Sequence, residues 1–109
     1  MEKAAWEAKE RLEGHEAAVC DIVVAEVVAG ARNQREGEHW CAHLTSNYHV
    51  LPFTMGVSLR FRELIRGAWK HRGARISDHL VAATALAHDC SLLTLNKKDF
   101  ERIKGLKLL

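Results

Sequence analysis

The chain has 109 residues, of which 48% are hydrophobic and 28% are charged, with one proline and seven glycines. This composition predicts one globular domain over residues 1–109 and excludes a long disordered linker. The net charge of +2 is too small to indicate nucleic-acid binding by itself. The sequence has neither a membrane-length apolar run nor the apolar core of a signal peptide, so we expect a cytoplasmic protein without membrane contact.

The cysteines agree with that expectation. Cys20, Cys41 and Cys90 are odd in number, widely spaced and without a C-x-x-C pair. This pattern predicts reduced thiols rather than a disulfide framework.

The first third of the chain alternates helical and strand patterns. Residues 2–12 have helical spacing, Ala17–Cys20 is a short apolar strand candidate, and Asp21 is expected to cap the next helix. The β-branched run from Ile22 favours a strand by propensity alone. The cap before it and the Ala-Gly end after it favour a buried helix over residues 22–32 instead.

Glu26 is the one acid in the apolar middle of that predicted helix. Its valine and alanine neighbours predict a side chain with little access to water. A buried carboxylate is costly, so we expect it to have a partner, a proton or a metal ion.

A further amphipathic helix is predicted over residues 36–44. His39 and His43 lie four apart on it and could share a metal ion, but no third ligand follows at a zinc-like spacing, so a metal is disfavoured here. A second strand is predicted over residues 48–53, where Pro52 ends it.

The helix predicted over residues 57–72 has an apolar stripe for the core and a basic stripe opposite it. Arg62, Arg66 and Lys70 recur every four residues, and Arg75 follows nearby. Two interpretations stay open: a solvated helix face, or a track for phosphate groups.

The stretch from residue 76 to 100 combines two acids with a helix and a strand. Ser77 or Asp78 is expected to cap a helix rich in small residues, and residues 91–95 predict a buried strand. A polar turn with Asn96 and Asp99 follows, and residues 103–109 give a last strand candidate. The order indicates a parallel α/β sheet, in which ligands gather beyond the carboxyl ends of the strands.

Three runs carry a resemblance to a known family. The run A-E-V-V-A-G-A-R around Glu26, S-D-H-L-V-A-A-T-A-L-A-H from Ser77 and T-L-N-K-K-D-F from Thr94 resemble blocks of PIN-domain ribonucleases, in particular VapC-type toxins of toxin–antitoxin pairs. The likeness extends from about Ala18 to Leu109. It implies a three-layer α/β/α sandwich with a parallel sheet, and hydrolysis of RNA phosphodiester bonds that depends on Mg²⁺ or Mn²⁺.

The resemblance also implies roles for single residues. Glu26, Asp78 and Asp99 match the family's catalytic, metal-binding acids, and Asn96 matches a position where relatives place a further metal-proximal polar group. Hard divalent cations prefer such oxygen ligands, activate water near neutral pH and neutralise a phosphate. The implied partners are an RNA substrate and a VapB-like antitoxin. The basic residues that would guide the RNA are Arg62, Arg66, Lys70 and Arg75.

The chain departs from the family pattern at its beginning. Relatives open with an apolar strand that ends in an Asp and lies in the middle of the sheet, whereas this chain opens at MEKAAWEAKE. A fragment, a strand supplied by another chain, and a relative without activity all remain open. Each unpaired buried backbone group costs about 1 to 3 kcal/mol, so we expect rearrangement or a homodimer, possibly strand-exchanged, across the gap.

Three functional interpretations follow. The first is a metal-dependent endoribonuclease toxin. The second is a catalytically impaired or inactive PIN-like protein that binds RNA or an antitoxin. The third is an α/β fragment whose acids only cap helices and turns.

Overall fold

The computed structural model describes residues 18–68, 75–92 and 97–108. In that part the chain forms β1 (Ala18–Cys20), α1 (Asp21–Ala29), α2 (Gln34–Asn47), β2 (His49–Leu51), α3 (Met55–Ala68), α4 (Ile76–Ala87) and a 3-10 turn (Lys97–Asp99). The helix predicted over residues 2–12 lies outside the described residues, as do Lys70 and Asn96.

Among the described residues the sheet consists of β1 and β2, and a separate parallel bridge lies outside it. β1 pairs with β2, with Val19 opposite Val50, and Leu92 forms a separate parallel bridge with Leu108. Parallel neighbours need a long crossover, which α1 and α2 provide between β1 and β2. The predicted parallel α/β sheet is therefore confirmed. Among the described residues no backbone pairing joins β1 to Leu92, so the two pairings stay separate.

The valine-rich segment after β1 is helical, as predicted. β1 runs directly into α1, so Cys20 takes the N-cap position and makes no side-chain cap. The expectation that Asp21 caps this helix is wrong, because Asp21 is already its first residue. There its negative charge still favours the helix through the macrodipole.

α2 is longer than predicted and begins earlier. The Asn33 side chain accepts a hydrogen bond from the Glu36 backbone N–H at 2.9 Å, which satisfies a donor of the first turn. α2 also approaches α1 closely at Gly37, where an added Cβ would lie 3.3 Å from Cγ1 of Val28.

The core lies where α3 packs against α4. Val57, Ala82, Ala83 and Thr84 are each at most 1% exposed. Small side chains on α4 let the two helices approach, and the Thr84 hydroxyl donates to the Leu80 carbonyl at 2.7 Å, so its burial leaves no unsatisfied group.

The three cysteines are free, as predicted. Cys20 is buried, Cys41 is exposed and Cys90 is half-buried. No helix in the described part of the chain is long and apolar enough to cross a bilayer.

Candidate active site

Asp78 lies in the first turn of α4 and is half-buried. The expectation that Ser77 or Asp78 caps this helix is wrong, because the helix begins at Ile76 and Arg75 occupies the N-cap position. The Asp78 carboxylate forms no hydrogen bond or ion pair with the described residues. The positive end of the helix dipole nevertheless favours its charge. Asp78 is therefore an acid at a helix start that has no partner among the described residues.

Glu26 is exposed, so the prediction that it is buried is wrong. The reason is the period of α1, which turns Val24, Val27 and Val28 toward the protein and leaves Ala25 and Glu26 on the outer side. Small alanine neighbours do not shield a glutamate. Like Asp78, Glu26 has no hydrogen-bond or ion-pair partner among the described residues.

Asp99 is exposed at the end of the 3-10 turn. Two backbone hydrogen bonds to the Lys97 carbonyl, from Phe100 at 3.0 Å and Glu101 at 2.9 Å, hold this turn. Phe100 is only 6% exposed, so it anchors the turn in the core. Asp99 thus lies in the polar turn expected for it.

The donor chemistry of these acids fits a hard divalent cation, because such ions prefer carboxylate oxygens. Within the described ranges, however, no group of three His, Cys, Asp or Glu side chains converges closely enough to hold a metal ion. α1 and α4 are in contact, so the helices that carry Glu26 and Asp78 are neighbours. The described part supplies carboxylates on adjacent elements without a closed three-ligand centre.

The packing of α3 against α4 places basic groups at the same end as Asp78. A Cβ built on Gly56 would lie 3.9 Å from that of Ala87, so the beginning of α3 meets the end of α4. Because the two helices also pack along much of their length, they run in opposite directions. Arg66 lies ten residues after Gly56, and Asp78 nine residues before Ala87, which is about 15 Å and 14 Å along the two axes. Arg66 and Asp78 thus occupy the same end of the helix pair.

Arg62 and Arg66, the described residues of the basic stripe, are exposed and have no acidic partner in the described part of the chain. Arg66 forms no ion pair with the described residues, and Arg62 contacts only the Ser58 hydroxyl, at 3.4 Å. The acid between them on the sequence, Glu63, lies 3.7 Å from Arg60 instead. Arg75 is also exposed, at the start of α4. Positive charge at this end of the protein is therefore available to an anionic ligand.

One residue beside the site was missed by the sequence argument. His79 is 9% exposed, and its Nδ1 donates to the Arg75 carbonyl at 2.7 Å, because a carbonyl can only accept. This bond fixes the turn that carries Asp78. In the sequence, only the four-residue spacing of Arg75 and His79 could have indicated this hydrogen bond.

Comparisons with known proteins agree with this architecture. The PIN domain family model matches residues 1–106. Ribonuclease VapC1 of Rickettsia felis is 35% identical over 101 residues, which cover 86% of this chain and 75% of that protein. Ribonuclease VapC10 of Mycobacterium tuberculosis is 31% identical over 91 residues, which cover 83% of this chain and 67% of that protein.

Solved structures have the same fold. VapBC-1 from nontypeable Haemophilus influenzae matches with a TM-score of 0.80 and 24% identity over 94% of this chain and 82% of that one. VapBC2 from Rickettsia felis, bound to a DNA fragment from its promoter, matches with a TM-score of 0.77 and 25% identity over 95% and 82%. The predicted PIN-like α/β fold is confirmed. This chain belongs to the PIN domain family.

Proposed function

We propose that the protein is the endoribonuclease toxin of a toxin–antitoxin pair and hydrolyses RNA phosphodiester bonds. The observation that carries the proposal is the pairing of an unengaged, half-buried carboxylate at Asp78 with exposed basic side chains at the same end of α3 and α4. Relatives named ribonuclease VapC support the reaction class.

In this proposal Glu26, Asp78 and Asp99 hold Mg²⁺ or Mn²⁺, with Asn96 as a further oxygen ligand. The bound cation supplies an activated water and neutralises charge on the phosphate. The protein's own contribution is to hold Asp78 on a fixed helical turn, through His79 and the Arg75 carbonyl, and to keep that carboxylate free of competing cations.

The basic residues would guide the substrate. Arg62, Arg66, Lys70 and Arg75 are proposed to contact RNA phosphates. The three arginines are exposed and have no acidic partner among the described residues, and such a guanidinium gains most from a polyanion. Arg66 and Arg75 flank the end where Asp78 lies. Phosphate contacts there would position the strand without reading its sequence.

A VapB-like antitoxin and a second copy of the chain are the proposed protein partners, in the cytoplasm. The solved neighbours are VapBC structures, which supports the antitoxin. Apolar side chains at the start of α3 support self-association: Phe53, Met55 and Leu59 are 46%, 70% and 49% exposed. A dimer, whether or not it exchanges a strand, would cover this patch.

A second candidate function is a PIN-like module that binds RNA or antitoxin without cutting. It is favoured by the lack of a converged three-ligand group among residues 18–68, 75–92 and 97–108. The two proposals differ in catalysis, not in fold.

A cleavage assay separates them. Purified protein is incubated with single-stranded RNA and Mn²⁺, beside Asp78→Asn, Glu26→Gln and Asp99→Asn. Asp89→Asn serves as the matched control, because Asp89 is an exposed acid just after the opposite end of α4. The nuclease is supported if the wild type and Asp89→Asn cleave RNA with the metal ion and Asp78→Asn does not. RNA binding without any cleavage supports the module.

A further inference from the structure

Three rings on α2 and the ring of Tyr48, the C-cap residue after it, form a contiguous group. His43 lies at its centre, with ring centroids 5.8 Å from Trp40, 6.4 Å from His39 and 6.5 Å from Tyr48. His39 and Trp40 are themselves 5.7 Å apart, edge to face. The two histidines are exposed, and Trp40 and Tyr48 are half-buried. We call these four residues the ring row.

Polar side chains run along the ring row, and one of them, the Asn47 amide, bonds the His43 carbonyl at 2.8 Å. Arg35, His39, His43 and Asn47 recur every four residues, so they form one stripe of α2, and all four are exposed. Arg35 has no acidic partner among the described residues. The stripe contains no carboxylate.

The acids nearest this stripe are already engaged. Glu36 accepts from Nε of Arg32 at 2.9 Å, and Glu38 accepts from the Gln34 amide at 3.0 Å. The Arg32 guanidinium therefore offsets the charge of one of these two acids, Glu36.

The surface differs from a protein-docking patch. None of the large exposed apolar side chains of the described residues lies on α2; they are Val50, Phe53, Met55, Leu59 and Ile76. Exposed rings on the same stripe as the Arg35 guanidinium instead match single-stranded nucleic acid, because bases stack on aromatic faces and phosphates pair with guanidinium groups.

We propose that the ring row is a second RNA contact, which stacks unpaired bases of a single strand away from the acids of the candidate active site. The proposal rests on the proposed function in taking RNA as the ligand. From Trp40 to Asn47, the last residue of α2, the helix rises about 10 Å, and Tyr48 follows directly, which is enough for two or three bases.

The test measures binding without cleavage. Fluorescence anisotropy in EDTA follows a short labelled oligoadenylate and a ribose-phosphate oligomer of equal length that lacks bases. The variants are the double substitution His39→Ala with His43→Ala, and Trp40→Leu. Ser46→Ala, at another exposed position of α2, is the matched control. We expect roughly tenfold weaker binding of oligoadenylate by the histidine variant, unchanged binding of the base-free oligomer, and no effect of Ser46→Ala.

Equal losses on both oligomers, or no loss on either, would overturn the inference, as would a wild-type protein that does not bind oligoadenylate. If Trp40→Leu unfolds, the histidine variant decides, because both of its positions are exposed. RNA cleavage by the wild type is assayed separately. If the wild type does not cleave RNA but its binding depends on the ring row, only the proposed nuclease is contradicted. If it cleaves RNA but its binding does not depend on the ring row, only the proposed stacking surface is contradicted.

Discussion

The imidazole of His88 donates through Nε2 to the Pro52 carbonyl at 2.9 Å. This bond joins the residue after α4 to the turn before α3, two points 36 positions apart in the sequence. It closes the end of the helix pair opposite to Asp78. The two helices are thereby held at this end by the bond, and Val57, Ala82 and Ala83 of the same two helices are buried.

Replacing His88 by Ala should lower the free energy of unfolding by about 0.5 to 1.5 kcal/mol, because the Pro52 carbonyl loses its donor. For a domain of this size that is a fall in Tm of roughly 2 to 6 °C, measured by circular dichroism. Ser46→Ala, at an exposed position, should leave Tm unchanged. If the His88→Ala protein is as stable as the wild type, the bond between His88 and Pro52 does not stabilise the fold.

Substituting Gln for both Arg62 and Arg66 should weaken RNA binding and flatten its salt dependence. Each lost phosphate contact on a single strand reduces the slope of log K against log salt by about 0.7, so the double variant should lose about 1.4. Arg60→Gln is the control, because Arg60 faces Glu63 at 3.7 Å. If the slope is unchanged in the double variant, Arg62 and Arg66 do not contact phosphates and belong to a solvated helix face.

Gly37→Leu should destabilise the protein by about 1 to 3 kcal/mol, since even a Cβ there would approach Cγ1 of Val28 to 3.3 Å and force α1 and α2 apart. The same exchange at Gly67 is the control, because an added Cβ there meets nothing within 4 Å. Urea unfolding of both variants measures the difference. Equal effects at the two glycines would contradict the close approach of α1 and α2.

Asp89→Gly should stabilise the protein by up to about 1 kcal/mol. Asp89 has φ of 53°, in the left-handed region, where a Cβ is unfavourable. The Cys90 N–H bonds the Ala85 carbonyl at 2.8 Å, which closes the helix end around it. The ion pair lost, with Lys107 at 3.3 Å, is exposed and worth little. Asp89→Ala should not stabilise, and thermal unfolding of both variants tests this.

The Arg32 side chain holds the pKa of Glu36 below its ordinary value of 4.5, chiefly through their hydrogen bond. A lowered carboxyl pKa contributes stability above the unfolded value, and this contribution is lost as pH falls through the lowered, folded value. Arg32→Gln should therefore raise the pKa of Glu36 in an NMR titration. Its stability should approach that of the wild type at pH values below both pKa values. Arg35→Gln, on another side of α2, should leave the Glu36 titration where it is.

The sequence by itself determined the order of β1, α1, α2, β2, α3 and α4, the parallel direction of the pairing, and the family. These follow from local signals: apolar periodicity, short β-branched runs between turns, and three spaced motifs. It also located the basic stripe of α3, because a four-residue recurrence survives any packing of the helix.

Only the tertiary structure decided which groups are buried and which are neighbours. The neighbouring valines predict a buried Glu26, but the helical period of α1 places this side chain on the exposed side. The N-cap positions of α1 and α4 differ from the predicted ones, because β1 runs into α1 without a linker and Arg75 directly precedes α4. Burial and proximity depend on how distant segments pack, which no local window of the sequence contains. The opposite directions of α3 and α4, which place Arg66 at the end of Asp78, are the clearest case.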